Sequence, residues 1–393
     1  MASRPVICYV RFACFTKEAR VLRHLRFLGE HFDFICVGYG DDPSPLLPGV
    51  NLKWHPVQQA WGEMWLKIVR TLARWPGRIL PALDWWPDRM MADWRAMKSI
   101  IRGLDYDLFM GSEMSPLLLA VWQESEKGKP FIMDYHEYPP LEAEEKRWHR
   151  WFHGPHNRRL LKRYGARAAG SSTVNTQFAA RMREEFGMET ITVMNAPELI
   201  ELPARPENAD GRIHLVFHGN PGGDRNLDKL MLAMNQVDDR FVLHLMLMSD
   251  AAPGSYWRQL AEQVQQGRIV FEDTVNPRQT VSRLVPWDIG FNILQPLNYN
   301  HRHALPNKFF DYIHAGLATV CSDTVTGRGF VEKHGIGWVL PAITPESLAG
   351  LLNRLTPAEI AEKKAAALRL RDQIHAASEE ARLVDMVSSV LAA

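Results

Sequence analysis

In the run from Leu305 to Gly316, LPNKFFDYIHAG, a lysine and an aspartate stand three residues apart at what reads as the start of a helix. Proline is favoured in a first helical turn, asparagine is a good N-cap and glycine is a natural stop, which describes Pro306, Asn307 and Gly316. Phe309, Phe310 and Ile313 supply an apolar face. Lys308 then falls in the first turn, where unpaired N–H groups and the positive end of the helix dipole favour an anion, most often a phosphate. Asp311 lies one turn on, over the same face. Its carboxylate can accept hydrogen bonds from neutral hydroxyls such as those of a ribose. A cation for phosphate and an acid for sugar, one turn apart, predict a nucleotide pocket.

Two other clusters have the composition of binding or reacting groups. Residues 218–227, HGNPGGDRNL, separate a strand-like stretch from a helix-like one. Glycines there, Gly219 among them, let a ligand approach the backbone closely. Asp224 or Asn226 can cap the helix that follows. This is the topology of a phosphate loop, although the spacing is neither a Walker motif nor GxGxxG. Residues 133–140, MDYHEYPP, end another strand. Asp134, His136 and Glu137 therefore stand at its carboxyl end, where open parallel sheets bind ligands. A histidine beside two carboxylates has its tautomer and charge set by them, which suits acid–base or polar stabilising work.

The block LPNKFFDYIHAGLATVCSD resembles the donor-binding segment of GT-B glycosyltransferases, in the group 1, family 4-like set of retaining bacterial cell-envelope and polysaccharide enzymes. The resemblance implies that Asp311 holds the donor ribose and that basic residues nearby, Lys308 first, hold its diphosphate, with Asn307 beside them. It also implies that Arg225, which follows the glycine-rich turn, reaches the diphosphate from the other side. Two such cations stabilise a departing diphosphate by several kcal/mol when water is excluded. MDYHE resembles the DxHE motif of the same enzymes. His136 is then the residue beside the reacting sugar, oriented by Asp134 or Glu137. Gly170-Ser171-Ser172 matches the family's serine-rich turn, and Asn195-Ala196-Pro197 its "NAP" at the end of the first domain. The loop after the first strand is glycine-rich in many relatives but reads RFACFTKE here. Arg11, Lys17 or Glu18 is expected to contact the acceptor from that side of the cleft. One departure concerns the donor sugar. Many relatives carry a glutamate eight residues before the ribose acid; this chain has His303, preceded by His301 and Arg302. A basic environment at that place favours an acidic or otherwise unusual sugar, and it also permits binding without catalysis.

The elements that must position these residues alternate along the chain. PVICYV, FDFICVG, YDLFMGS, PFIMDY, ARAAGSS and ITVMN read as strands, with helical periodicity over residues 17–29, 148–164 and 175–186. Such alternation predicts βαβ units and a parallel sheet. Residues 197–211, PELIELPARPENADG, hold three prolines and no periodicity, and read as a linker. Alternation then resumes with RIHLVFHG, a helix from Asn226, FVLHLML, a helix over 256–266, IVFED, a short helix over 277–284, DIGFNIL and ATVCSD. The tail from Pro357 to Ala393 reads as helical throughout. The expected architecture is α/β: by the resemblance, GT-B, two Rossmann-like doubly wound parallel-sheet domains facing across a cleft, with the C-terminal helices crossing back. The expected boundaries are 1–200 for an acceptor-binding domain, 201–375 for a nucleotide-sugar-binding domain and 376–393 for a returning helix.

Composition narrows the alternatives. With 393 residues, 46% hydrophobic and 23% charged, the chain suits two soluble domains. A net charge of +1 argues against a nucleic-acid partner. The 4 cysteines lie in or beside apolar runs without a CxxC pair, which predicts a reduced, cytoplasmic protein with no disulfide framework. Met1 to Pro5 leads straight into a strand-like run, so no signal peptide is expected. No apolar stretch reaches the roughly 18–20 residues of a membrane span. More than half of the 13 tryptophans fall between Trp54 and Lys98, interleaved with Lys67, Arg70, Arg74, Arg78, Arg89 and Arg95. That mixture predicts peripheral association with an anionic membrane, at the inner face of the cytoplasmic membrane. A second basic and aromatic run, KRWHRWFHGPHNRRLLKR, spans 146–163. Asp105-Tyr106-Asp107 precedes a strand and reads as structural, so neither metal nor other cofactor is expected. The function that follows is transfer of a sugar from a nucleotide-diphosphate donor to a lipid-linked or cell-envelope glycan. The alternatives are a silent nucleotide-sugar-binding scaffold and a sugar-nucleotide epimerase of the same fold.

Overall fold

The computed structural model describes residues 4–59, 91–206, 210–248 and 254–393. The chain divides into two compact units. The first comprises Met1–Met194, Asn298–Asn300 and Ala377–Ala393; the second comprises Asn195–Leu297 and His301–Ala376.

The first unit is built on β1 (Val6–Cys14), β2 (Asp33–Tyr39), β3 (Leu52–Pro56), β4 (Leu108–Ser112), β5 (Phe131–Tyr135), β6 (Gly170–Thr173) and β7 (Thr190–Thr192). They form a parallel sheet in the order β3-β2-β1-β4-β5-β6-β7. The second unit contains β8 (Ile213–Gly219), β9 (Phe241–Leu247), β10 (Ile269–Phe271), β11 (Ile289–Asn292), β12 (Ala318–Ser322) and β13 (Gly337–Leu340), parallel in the order β10-β9-β8-β11-β12-β13. Both orders are doubly wound. Strands β4, β5, β9 and β12 are buried along their whole length. Helices cover both faces of such sheets, so their central strands read as apolar runs without alternation.

The order reverses between β1 and β4 in the first unit and between β8 and β11 in the second. Ligand crevices of open α/β sheets form outside the carboxyl ends at such points. The 218–227 cluster follows β8 at such a reversal, and the 133–140 cluster follows β5, one strand beyond the reversal in its sheet.

Several elements differ from the sequence reading. β1 runs on to Cys14, so Arg11 stands within the strand and the loop proper is only residues 15–18. The tail is two helices, Pro357–Arg371 and Ala376–Ala392, because the chain turns over residues 372–375. The later helix docks on the first sheet, where Leu383 and Val387 join Ile7, Tyr9, Leu25 and Ile132 in one core. Asn298–Asn300 returns to the first unit and is pinned there. Asn298 Nδ2 donates to Glu145 at 3.0 Å, the Tyr299 N–H to Glu144 at 2.7 Å, and Asn300 Oδ1 accepts from the Tyr138 N–H at 3.0 Å. Most of the tryptophan-rich stretch, residues 60–90, lies outside the described residues. Of its flanks, Trp54 packs edge-on to Phe15 and Trp94 is buried beneath Lys98, so both serve the core. Among the described residues no helix is long and apolar enough to cross a membrane.

Candidate functional site

In the second unit, β8 ends on Gly219 with φ +100°, a conformation that favours glycine. A Cβ added there would stand 3.8 Å from Lys308 Nζ. The helix Asn307–His314 brings Lys308 to this turn; Pro306 occupies its N-cap and Asn307 is its exposed first residue. Asn307 therefore caps nothing, contrary to its sequence reading. The helix is seated by Tyr312, whose hydroxyl accepts from the His218 N–H at 3.3 Å and donates to the Phe291 carbonyl at 3.2 Å. Gly290 makes this possible, since any Cβ would overlap the Tyr312 ring.

Lys308 is 9% exposed and its Nζ has no hydrogen-bond partner. It lies 4.0 Å from the centre of the Phe217 ring. Burial, and then the Arg225 charge, push its ammonium down to about 7. Arg225, in the short turn Gly223–Arg225, approaches Asp224 at 3.5 Å and leaves Nη1 buried without a partner. Asn226 has φ +49°, and its side chain donates to the Asp224 carbonyl at 3.1 Å. Neither Asp224 nor Asn226 supplies a side-chain cap to the helix Leu227–Ala233. Asp311 lies 3.4 Å from His218 Nε2, without a hydrogen-bonding angle. Burial and the Lys308 charge push His218 down to about 3, so it is neutral. His303 Nδ1 is 3.1 Å from Thr326 Oγ1, and His301 Nδ1 is 3.0 Å from the Gln295 carbonyl. Gly219, Arg225, Lys308 and Asp311 thus converge on one corner, with His303 held toward the helix Val325–His334.

In the first unit, Asp134 is the penultimate residue of β5 and is fully buried. Arg20 grips it through Nη2 at 2.7 Å and Nε at 3.0 Å, and Ser172 donates to it at 2.7 Å. His24 Nε2 stands 3.2 Å and His136 Nε2 3.0 Å from the same oxygen, Oδ2. Burial alone raises a carboxyl, but Arg20 and then His24 hold this one well below the usual carboxylate range. Asp134 is therefore a buried anchor for His136 and does not itself reach a ligand. Of the two acids expected to orient His136, Asp134 contacts it; Glu137 instead accepts from Asn300 Nδ2 at 2.9 Å. Glu137 keeps an exposed surface, yet crowding first and then Glu142 and Glu113 push its carboxyl up to about 8.

His136 Nδ1 lies 3.5 Å from Glu113. Glu113 has φ +67°, a backbone state that costs a non-glycine residue about 1–3 kcal/mol. Its N–H donates to the Asp134 carbonyl at 2.7 Å, and its carboxylate meets Arg11 at 3.2 Å. Arg11 is 5% exposed and also binds Glu18 at 3.2 Å. Lys17 is exposed on the loop. Among the described residues, Glu18, Glu113 and His136 are close enough together to share a metal ion. The Arg11 guanidinium already bridges the two glutamates there. Asp107 lies at the other end of the sheet, where it accepts from the Val6 N–H at 2.9 Å. Glu113 was not singled out in the sequence; its signal is a glutamate directly after a buried strand end.

No family model matches the sequence, and no curated protein matches it. Solved structures do. HepE of Anabaena, in complex with UDP and glucose, superposes with a TM-score of 0.68 at 12% identity over 98% of this chain and 100% of that one. A glycosyltransferase from Rickettsia africae gives 0.70 at 10% identity over 99% of each chain. The α,α-trehalose 6-phosphate synthase of Burkholderia multivorans gives 0.65 at 12% identity over 100% of this chain and 98% of that one. Similarity over whole chains, with a doubly wound parallel sheet in each of two units, shows that this chain has the GT-B fold.

Proposed function

We propose that this protein is a glycosyltransferase that takes a sugar from a nucleotide-diphosphate donor, without a metal, and passes it to a lipid-linked or cell-envelope glycan. One observation carries the reading: a buried ammonium, Lys308 Nζ, and a buried guanidinium nitrogen, Arg225 Nη1, both lack partners beside the Gly219 turn. A buried donor without an acceptor costs about 1–3 kcal/mol, more for a charged group, and an arriving diphosphate supplies the acceptor. Lys308 and Arg225 then supply the cationic stabilisation that a metal supplies elsewhere. Asp311 takes the ribose, next to the neutral His218. The first unit supplies His136 to the reaction, and Arg11, Lys17 and Glu18 meet the acceptor. That HepE was solved with UDP-glucose supports the donor class.

The test is slow donor hydrolysis across a panel of UDP, GDP and dTDP sugars that includes uronates. The expected result is turnover of at least one member. His303, hydrogen-bonded to Thr326 where many relatives place an acid, favours a second reading as a silent nucleotide-sugar binder. Binding of a donor with no turnover of any member selects that reading.

The acceptor side is proposed to work at the inner face of the cytoplasmic membrane. The 54–98 region that first suggested this falls largely outside the described residues. Support comes from the 146–163 run, where Trp148 and Trp151 are 49% and 59% exposed beside exposed Lys146, Arg147 and Arg150. Rings at headgroup depth with cations against anionic lipid suit that mixture. Flotation should recover the protein with phosphatidylserine-containing vesicles and not with neutral ones. Replacing Arg147 and Arg150 by alanine should weaken recovery by about 2 kcal/mol, roughly 30-fold, at about 1 kcal/mol per cation. Equal recovery with both vesicle types removes the membrane from the proposal.

A further inference from the structure

A line of hydrogen bonds joins the last helix of the chain to His136, entirely within the first unit. Glu380 Oε2 is 2.7 Å from His24 Nδ1, His24 Nε2 is 3.2 Å from Asp134 Oδ2, and Asp134 Oδ2 is 3.0 Å from His136 Nε2. Glu380, His24 and Asp134 are fully buried. Counting protons decides the state of the middle ring. Both nitrogens of His24 face carboxylates. Either neutral tautomer would turn a lone pair toward a carboxylate, so the ring is an imidazolium.

The surroundings fit this assignment. Facing His24 are Asp134 of β5, Glu380 of the last helix and Arg20 of its own helix; Tyr9 of β1 lies near Asp134, and Arg23 holds Glu380. Arg20 spans Asp134, and Arg23 Nε donates to Glu380 at 2.9 Å, so each carboxylate already has one guanidinium. Burial opposes a charge on His24, but Glu380 and then Asp134 raise its proton affinity above that of an ordinary histidine. The same contact leaves Asp134 Oδ2 accepting from His24 on one side and His136 on the other.

We propose that His24 and Glu380 are positioning residues for His136: they hold Asp134 as an oriented carboxylate, so that His136 keeps its proton on Nε2 and leaves Nδ1, whose 3.5 Å approach to Glu113 is not a hydrogen bond, for the reaction. This deepens the transferase reading and rests on it for the role of His136. The last helix thereby contributes to the site through Glu380 as well as through its apolar face.

The test uses full-length protein with ¹⁵N-labelled histidine at pH 8, where ordinary imidazoles are neutral. His24 should keep both ring nitrogens protonated, and His136, assigned by the signal lost in His136→Gln, should show protonated Nε2 and bare Nδ1. Glu380→Gln is isosteric and retains a hydrogen-bonding side chain. In it, His24 should become neutral and the His136 signal should shift toward the other tautomer. Donor turnover should fall at least about tenfold, as when the support of a working histidine is removed, with UDP affinity unchanged. Glu380→Asp should restore part of the turnover. His24→Gln is the second variant; where it fails to fold, Glu380→Gln decides. A neutral His24 in the unsubstituted protein, or a His136 tautomer unmoved by Glu380→Gln, overturns the proposal and leaves a purely structural staple. If no nucleotide sugar is turned over, the nuclear magnetic resonance result still decides the relay, and the failure falls on the transferase reading.

Discussion

His136→Ala should cut sugar transfer by about 10²- to 10⁴-fold, the usual worth of a positioned acid–base or polar group, while leaving UDP affinity unchanged. The expectation comes from where the ring is tied. Its Nε2 is spent on Asp134, and its Nδ1 faces Glu113 and the carboxyl end of the sheet. Alanine removes that nitrogen without disturbing the anchor, because Asp134 keeps Arg20, Ser172 and His24. The fold should therefore survive, and far-ultraviolet dichroism and a melting curve check that. On the proposed reading Lys308 and Arg225 of the other unit hold the nucleotide, so calorimetry with UDP should not change. Full turnover in the alanine variant would take His136 out of the mechanism and shift attention to Glu113.

Lys308→Met should weaken binding of the nucleoside diphosphate by about 1.5–3 kcal/mol, roughly 10- to 150-fold, as expected for the loss of a hydrogen bond to a charged group. Methionine keeps the stem packed over Phe217 and removes the charge. A pH signature accompanies the effect. In the free protein Lys308 gives up its proton at about 7, whereas in the unfolded chain it does so near 10.4. Between those values the unfolded state binds more protons, so this group makes stability rise with pH across that window. A diphosphate placed beside Nζ should favour the charged form and restore the proton. Binding near pH 8 should therefore take up close to one proton, and affinity should fall as pH rises above about 7. Calorimetry in buffers of different ionisation heat measures the uptake directly. Lys308→Met should abolish it. Unchanged affinity together with unchanged proton uptake would place the diphosphate elsewhere.

The two predictions test residues that the sequence exposed for different reasons. Lys308 and Asp311 were legible because a helix start is local: three residues of turn chemistry and a period of 3.6 place them over one face. His136 was legible because a strand end is local too. β4, β5, β8, β9 and β12 were visible for the same reason, since a strand buried on both faces announces itself as an unbroken apolar run. Helix interruptions were less legible. Residues 372–375 have helix-forming neighbours and no proline or glycine, so the turn there reflects tertiary packing.

What the sequence determined by itself is the alternation of elements, the apolar strands, the glycine at the end of β8, and the chemical kinds of the groups at strand ends and helix starts. Each of these depends on neighbours within about a dozen residues. What only the tertiary structure decided is which charges meet. Arg20, His24 and Glu380 lie in stretches that read only as helical, yet all three are buried in one network with Asp134. The pairing of His24 with Glu380 spans 356 residues. No local pattern specifies it; it exists because the last helix returns to the first sheet, and because a carboxylate taken out of water there must find its cation. The same holds for the missing partner of Lys308. The sequence shows a lysine in a first turn, and only the packing of Phe217, Gly219 and Arg225 around it shows that its Nζ is buried without a hydrogen-bond partner.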